Sequence, residues 1–223
     1  HGGLPCGAAR VSHWAKGAAG LAEAVCCSNA ACRRPPAGGE SDPRAWCLET
    51  ARHALLDCPA VRPALQWLAR LWGRIEGGVE PPITSRVWLQ GDLEAWRPQR
   101  ERVNLWRALR VAMLSAAWDR RMQRVARGTP FGPADVAAGF VAAVRRLVRA
   151  DWQRATSDVT DIAGAHRSWF PNAEQRAAQY GLVAFEVEWC AAGVLAHVVH
   201  GQQGQRPRLE VRLAAPAAEG MDG

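Results

Sequence analysis

The chain has 223 residues, 48% of them hydrophobic, and a formal net charge of +7. That apolar content is enough to bury a core, which excludes wholesale disorder. No run of about 18 apolar residues occurs, so no membrane-spanning helix and no membrane partner are expected. No charged start followed by an apolar stretch marks a secretory signal, and the opening at His1 reads as the start of a piece of a longer protein.

Lys16 is the sole lysine, so 27 of the 28 basic residues are arginine. Abundant Ala, Gly, Arg and Pro beside scarce Phe, Tyr, Met, Ile and Asn is the skew of GC-rich coding, which weakens any argument from the number of arginines alone. Their distribution says more. Between Arg97 and Arg154 thirteen arginines face only Glu101, Asp119, Asp135 and Asp151, whereas the rest of the chain carries 15 basic and 17 acidic residues. A basic stretch concentrated in this way is the footprint of a polyanion partner.

Residues 1–25 read as irregular, with a weak helical patch from Ala15 to Val25. Five of the seven cysteines fall between Cys26 and Cys58. An odd, uneven set is a poor disulfide framework, and clustering without an export signal points to metal. Residues 33–45 are rich in Pro and Gly and read as an exposed loop. Order resumes over 49–58, and Pro63 opens an amphipathic helix with Leu65, Leu68 and Trp72 on one face. Gly77, Gly78, Pro81 and Pro82 end it. A long second helix is predicted over 97–127, with Trp106, Leu109, Met113 and Ala116 in one row and Leu114, Trp118 and Met122 in another. Gly128 stops it, and Pro133 begins a third helix, 133–155, that buries Phe140, Val144, Leu147 and Val148. These two helices form a hairpin. In VAFEVEW the alternation of Val183, Phe185, Val187 and Trp189 with Ala184, Glu186 and Glu188 predicts a half-buried strand. VLAHVVH and RLEVRL then flank the turn GQQGQ as a β-hairpin.

The expected architecture is mainly α with a small C-terminal antiparallel β sheet, in which an irregular, zinc-stapled N-terminal module precedes a helix hairpin. The expected divisions are a zinc-binding module with its following helix (1–76), a linker (77–96), a basic helical region (97–170), a small β region (171–213) and a flexible tail (214–223).

The chemistry-bearing group is Cys27-x4-Cys32 followed by His53-x4-Cys58. Zn²⁺ takes three thiolates and one imidazole tetrahedrally in closed, structural sites. A closed shell leaves no position for a reacting water, so such a site stabilises a fold and hydrolyses nothing. Cys26 can replace Cys27, and Cys47 can replace either member of the first pair. His53 and Cys58 are five residues apart, about 140° around an α-helix. They share a metal only if the chain curls there or a helix begins between them.

The stretch ETARHALLDCPAVRPALQWLARLW resembles the zinc-binding segment that follows the polymerase in LINE-type (non-LTR) retrotransposon reverse transcriptases. In that family a cysteine pair precedes an acidic-Thr pair, then His-x4-Cys-Pro, then a Trp-bearing helix. The positions here are Cys27 and Cys32, Glu49-Thr50, His53, Cys58-Pro59, and Trp67 with Trp72. The opening HGGLPCGA is similar to the family's His-Gly-x-Leu-Pro segment, and LWRALRVAMLSAAWDRR and VRRLVRADWQRATSDV resemble the helical tail of plant and algal members. The sequence departs from the family in its Cys-x4-Cys pair and in the 20 residues between Cys32 and His53.

The resemblance implies an accessory zinc-binding, nucleic-acid-binding C-terminal region of such a reverse transcriptase, with a structural Zn²⁺. Its implied partners are template RNA or target DNA and the polymerase domain of the parent protein, and its implied place of action is intracellular and nuclear. Polymerisation needs paired aspartates holding two Mg²⁺ ions. No Asp-Asp occurs in this chain, so it is not expected to be an enzyme.

Two arginine sets are the candidate phosphate contacts. Arg145, Arg146, Arg149 and Arg154 lie opposite Phe140 and Leu147 on the third helix, and Arg120, Arg124 and Arg127, with Arg121 beside them, lie on the second. Like charges at i,i+4 cost ~0.2–0.5 kcal/mol per pair unless neutralised, and guanidinium forks bind phosphate bidentately. The bland reading is a solvated arginine face produced by coding bias. Trp67, Trp72, Trp106 and Trp118 sit at core spacing, which leaves Trp46 and Trp169 as candidates for base stacking. His197 and His200 fall on opposite faces of a strand and do not share a metal. Two other readings stand beside the preferred one: a zinc-stabilised interaction module that packs on the polymerase domain, and a decayed element fragment with no function.

Overall fold

In the computed structural model the described residues are 27, 32, 50–156, 181–200 and 207–216. The Ala15–Val25 patch, Cys26, Cys47, Trp46, Trp169 and the GQQGQ turn lie outside them.

Helix α1 spans Arg62–Ile75, with Pro63 in its first turn, where a missing N–H costs no hydrogen bond. Leu65, Leu68, Leu71, Trp72 and Ile75 form its buried stripe. Gly77 and Gly78 follow with φ of 72° and 104°, a conformation that glycine adopts without penalty.

The segment expected to be a linker packs instead. A one-turn π-helix, Arg86–Gln90, buries Val87 and Trp88 and is closed by Gly91 in the left-handed region. Beyond it Trp96 joins Trp72, Trp88 and Trp106 in a tryptophan cluster. The Trp106 ring meets Trp72 at 5.2 Å, Trp88 at 5.2 Å and Trp96 at 5.0 Å, all edge to face. Gly and Pro pairs end α1, but Trp88 and Trp96 carry too much apolar area for the segment to remain in solvent. The Trp72 indole N–H donates to Glu76 Oε2 at 2.5 Å, and the Gln99 amide donates to the other oxygen of this buried carboxylate. Arg102 donates to the Ile75 carbonyl at the end of α1.

Helices α2 (Val103–Arg127) and α3 (Pro133–Thr156) form the expected hairpin. Gly128, with φ 68°, caps α2 through its N–H to the Arg124 carbonyl at 2.8 Å. Asp135 accepts from the Gly132 amide at 2.8 Å and so caps the start of α3. The predicted row Trp106, Leu109, Met113 and Ala116 is buried, as are Phe140, Val144 and Val148. Leu147 is the exception among the expected core residues. The buried stripe of α3 runs through Phe140, Val144, Val148 and Asp151, and Leu147 flanks it at 40% exposure.

Residues 182–189, expected to be a strand, are helix α4 (Leu182–Trp189). A strand would put Val183, Phe185, Val187 and Trp189 on one face. In the helix Phe185 and Trp189, one turn apart, are buried, while Val183 and Val187 are 75% and 58% exposed. Spacing of four residues fits both periods, and tertiary contacts decide between them. The Trp189 indole donates to Asp151 at 2.9 Å, and Phe185 meets the Trp152 ring at 5.3 Å. Strands β1 (Ala196–Val199) and β2 (Arg208–Val211) pair antiparallel, Ala196 with Val211 and Val199 with Arg208, as the sequence predicts. Arg145 ties this hairpin to α3 through the Leu213 carbonyl, at 2.9 and 3.2 Å. The chain is thus mainly helical, with a small C-terminal antiparallel sheet. No helix among the described residues is long and apolar enough to cross a membrane.

Trp106 is the hub of the tryptophan cluster, so Trp106→Ala is expected to destabilise by ~3–5 kcal/mol. Urea unfolding followed by circular dichroism measures this, and a loss under about 1 kcal/mol would show that the cluster does not bear on stability.

Candidate metal centre

The centre begins with a turn of unusual width. Residues His53–Asp57 form a single π-helical turn, in which the Cys58 amide donates to the His53 carbonyl at 2.8 Å. The i→i+5 bond widens the helix enough to bring residues five apart nearly above one another, where an α-helix would leave them about 140° apart. This is the curl that the His53-x4-Cys58 spacing requires. Thr50 starts the turn: its Oγ1 accepts from the His53 amide at 3.0 Å and its carbonyl from the Ala54 amide at 2.8 Å. Ala54, Leu55 and Leu56 bury the opposite side of the turn. Asp57 pairs with Arg52 at 2.9 Å and Arg62 at 3.2 Å, bracing the turn from solvent, where such pairs contribute ~0–1 kcal/mol each. Beyond the turn the Cys58 carbonyl accepts from the amides of Val61 and Arg62 at 2.8 and 2.9 Å, which leads directly into α1.

Cys27 and Cys32 reach this turn from 26 residues upstream and beyond. One donor atom from each of Cys27, Cys32, His53 and Cys58 lies within 4.8 Å of every other. The three cysteines are buried and unbridged. Cys32 Sγ stands 3.7 Å from Cys58 Sγ, far beyond the ~2.0 Å of a disulfide. His53 Nε2 is buried and has no hydrogen-bond partner, a costly state for a ring nitrogen that a metal ion would satisfy.

The electrostatics point the same way. Interaction with Cys27, then with Cys58, together with burial, pushes the Cys32 thiol far above the usual range. Interaction with Cys27 and then Cys58 pushes the His53 pKa up to about 9, against burial, which pulls it down. Sulfurs gathered this closely resist becoming anions together and attract a cation. A metal ion at their centre reverses each effect, because it favours thiolates and a neutral imidazole. The four residues therefore form a Cys₃His cluster suited to metal binding.

The arginines expected to meet phosphate divide by depth. Arg121 is 2% exposed, and its Nη2 donates to Cys27 Sγ at 3.5 Å. It is inside the protein and out of reach of a phosphate backbone, which corrects its assignment as a nucleic-acid contact. Arg145 is committed to the Leu213 carbonyl, and Arg154 pairs with Asp151. Arg120 bonds Gln123 at 3.1 Å. Arg124 is half-buried, and Arg127, Arg146 and Arg149 are exposed. Arg124 and Arg127 sit at the turn of the hairpin, and Arg149 lies on the order of 24 Å further along α3.

Reasoning from sequence missed Arg121 as a neighbour of the centre, although a signal was present. Leu105, Leu109, Met113 and Ala117 step along α2 four residues at a time and are all buried, and Arg121 is the next step.

The chain matches no protein-family model, no curated protein and no solved structure.

Loading a divalent metal at pH 7 is expected to release protons, one of them from His53, whose pKa of about 9 leaves it protonated there, because ligation needs a neutral imidazole. Apparent affinity therefore rises with pH, and the share due to His53 levels off above about 9. Calorimetry in buffers of differing ionisation enthalpy counts the protons, and His53→Ala is expected to lower the count by one. An unchanged count in that variant would exclude His53 as a ligand.

Proposed function

We propose that Cys27, Cys32, His53 and Cys58 hold one structural Zn²⁺, and that the chain is an accessory nucleic-acid-binding region of a LINE-type reverse transcriptase that lacks the polymerase site. The observation that carries the metal reading is the donor geometry. A tetrahedron with Zn–S bonds of ~2.3 Å has edges of about 3.8 Å, and the Cys32–Cys58 separation is 3.7 Å. Four protein donors close the shell, so the ion staples and does not catalyse. The family reading rests on the residues named above for the resemblance: His53-x4-Cys58-Pro59 fits the family's pattern, Cys27 and Cys32 stand for its cysteine pair at a different spacing, and the helix after Cys58-Pro59 carries Trp67 and Trp72.

Nucleic-acid binding is supported by the arginine surplus between Arg97 and Arg154. Arg127, Arg146 and Arg149 are its best-placed contacts because they are exposed. Template RNA or target DNA would be held through phosphates, with little regard to sequence. One feature favours the second reading, an interaction module that docks on the polymerase domain: Val183 and Val187, one turn apart on α4, are both exposed.

Metal analysis of the purified chain is expected to give zinc near one per chain, falling to about a tenth or less in Cys58→Ser. Full stoichiometry in that variant would overturn the ligand set. Binding to mixed-sequence RNA and DNA is expected to weaken log-linearly with salt, and Arg146→Ala with Arg149→Ala to reduce the slope by roughly 0.7–0.9 per lost phosphate contact. Absence of binding at low salt would favour the docking module.

A further inference from the structure

The sequence delivers one arginine to the interior. The i+4 row Leu105, Leu109, Met113 and Ala117 is buried, and its next member, Arg121, is 2% exposed with Nη2 3.5 Å from Cys27 Sγ. A guanidinium stays charged in a protein and is costly to bury without an anion nearby. The structure sets the Cys27 sulfur, a potential thiolate, against it.

We infer that Arg121 is the counter-charge of the metal centre, a positioning residue that acts through Cys27. This rests on the reading of Cys27, Cys32, His53 and Cys58 as zinc ligands. Three thiolates, a neutral imidazole and a divalent ion leave one surplus negative charge in a site screened from water. The guanidinium of Arg121 cancels it. Its N–H···S hydrogen bond also fixes the direction of the Cys27 sulfur, as outer partners orient metal ligands in general.

The arrangement gives the ion a reach beyond its ligands. Cys27 lies 94 residues from Arg121 in sequence, so this one contact links the ligand segment to the helix hairpin. Arg121 also differs in kind from its neighbours Arg120 and Arg124. Those are half-buried, whereas Arg121 is fully inside.

The test is competitive Co²⁺ and Zn²⁺ titration of the full chain, followed through the cobalt–thiolate absorption, for wild type, Arg121→Gln and Arg121→Lys, each also carrying Cys27→His. Arg121→Gln is expected to lose about 10–100-fold in affinity with its helical content kept, the range usual for outer partners. Arg121→Lys, which keeps the charge, is expected to stay within about 3-fold of wild type. With His at position 27 the centre carries no surplus charge, and Arg121→Gln is then expected to cost under about 3-fold. Equal losses in both backgrounds, or no loss in the first, would overturn the inference and leave the zinc reading standing. A wild-type chain that takes up neither metal overturns both. Should Arg121→Gln not fold, Arg121→Lys decides: a folded Lys variant that loses more than about 10-fold shows that charge is not what the centre needs.

Discussion

The structure of the centre depends on one local departure from regular geometry, the π-turn at His53–Asp57. Two ligands five residues apart diverge on an α-helix, and no rotamer choice recovers the lost direction. Widening the turn by one residue aligns them. The widening gives poorer backbone packing than an α-helix, and the residues around it offset that cost. Thr50 holds the start, Asp57 braces the outer side with two arginines, and Leu55 and Leu56 bury the inner side. Cys58 then serves twice: its sulfur faces the cluster and its carbonyl accepts the first amides leading into α1.

Depth sorts the arginines into roles that their number conceals. A basic residue on a buried row has to find an internal partner, as Arg121 does at Cys27. One at the edge of a packed face reaches a carbonyl, as Arg145 does at Leu213 and Arg102 at Ile75. Those opposite the stripe, such as Arg146 and Arg149, are exposed. The electrostatic surplus read from composition therefore overstates the charge available to a polyanion. What remains outside still outnumbers the exposed carboxylates of the hairpin, Asp119 and Asp135.

Much of this was legible in the residues. The helix hairpin follows from two rows at helical spacing with Gly128 and Pro133 between them, and the four donors follow from thiols and an imidazole crowded within 32 residues of chain. The failures have physical causes. Phe185 and Trp189 satisfy both a two-residue and a one-turn period, so only their contacts with Trp152 and Asp151 choose the helix. Gly77, Gly78, Pro81 and Pro82 signal an end to α1, but they say nothing of where Trp88 and Trp96 go next. That is set by Trp106, whose ring meets Trp88 at 5.2 Å and Trp96 at 5.0 Å, and by Trp72, which meets Trp96 at 6.2 Å. The conflict of angle between His53 and Cys58 was visible as a conflict, and the π-turn resolves it without moving either residue from the site.

The tryptophan cluster and the donor cluster hold the same two helices from different directions. Trp72 and Trp106 join α1 to α2 through ring edges, and Glu76, hydrogen-bonded by Trp72 and Gln99, ties the end of α1 to the approach to α2. At the other end, Cys58 leads into α1 and Arg121 lies on the last turns of α2, with Cys27 between them. The apolar contacts need no ion, whereas in the donor set Cys27 and Cys58 push the Cys32 thiol far above its ordinary range, and a ring nitrogen of His53 has no hydrogen-bond partner. With both ends fastened, α1 cannot pivot on α2. With the donor end loosened, the tryptophans still hold one end. An ion held by these donors would therefore act mainly on the angle between α1 and α2, and much less on the α2–α3 hairpin, whose core of Met113, Ala116, Phe140 and Val144 is built from carbon and one thioether.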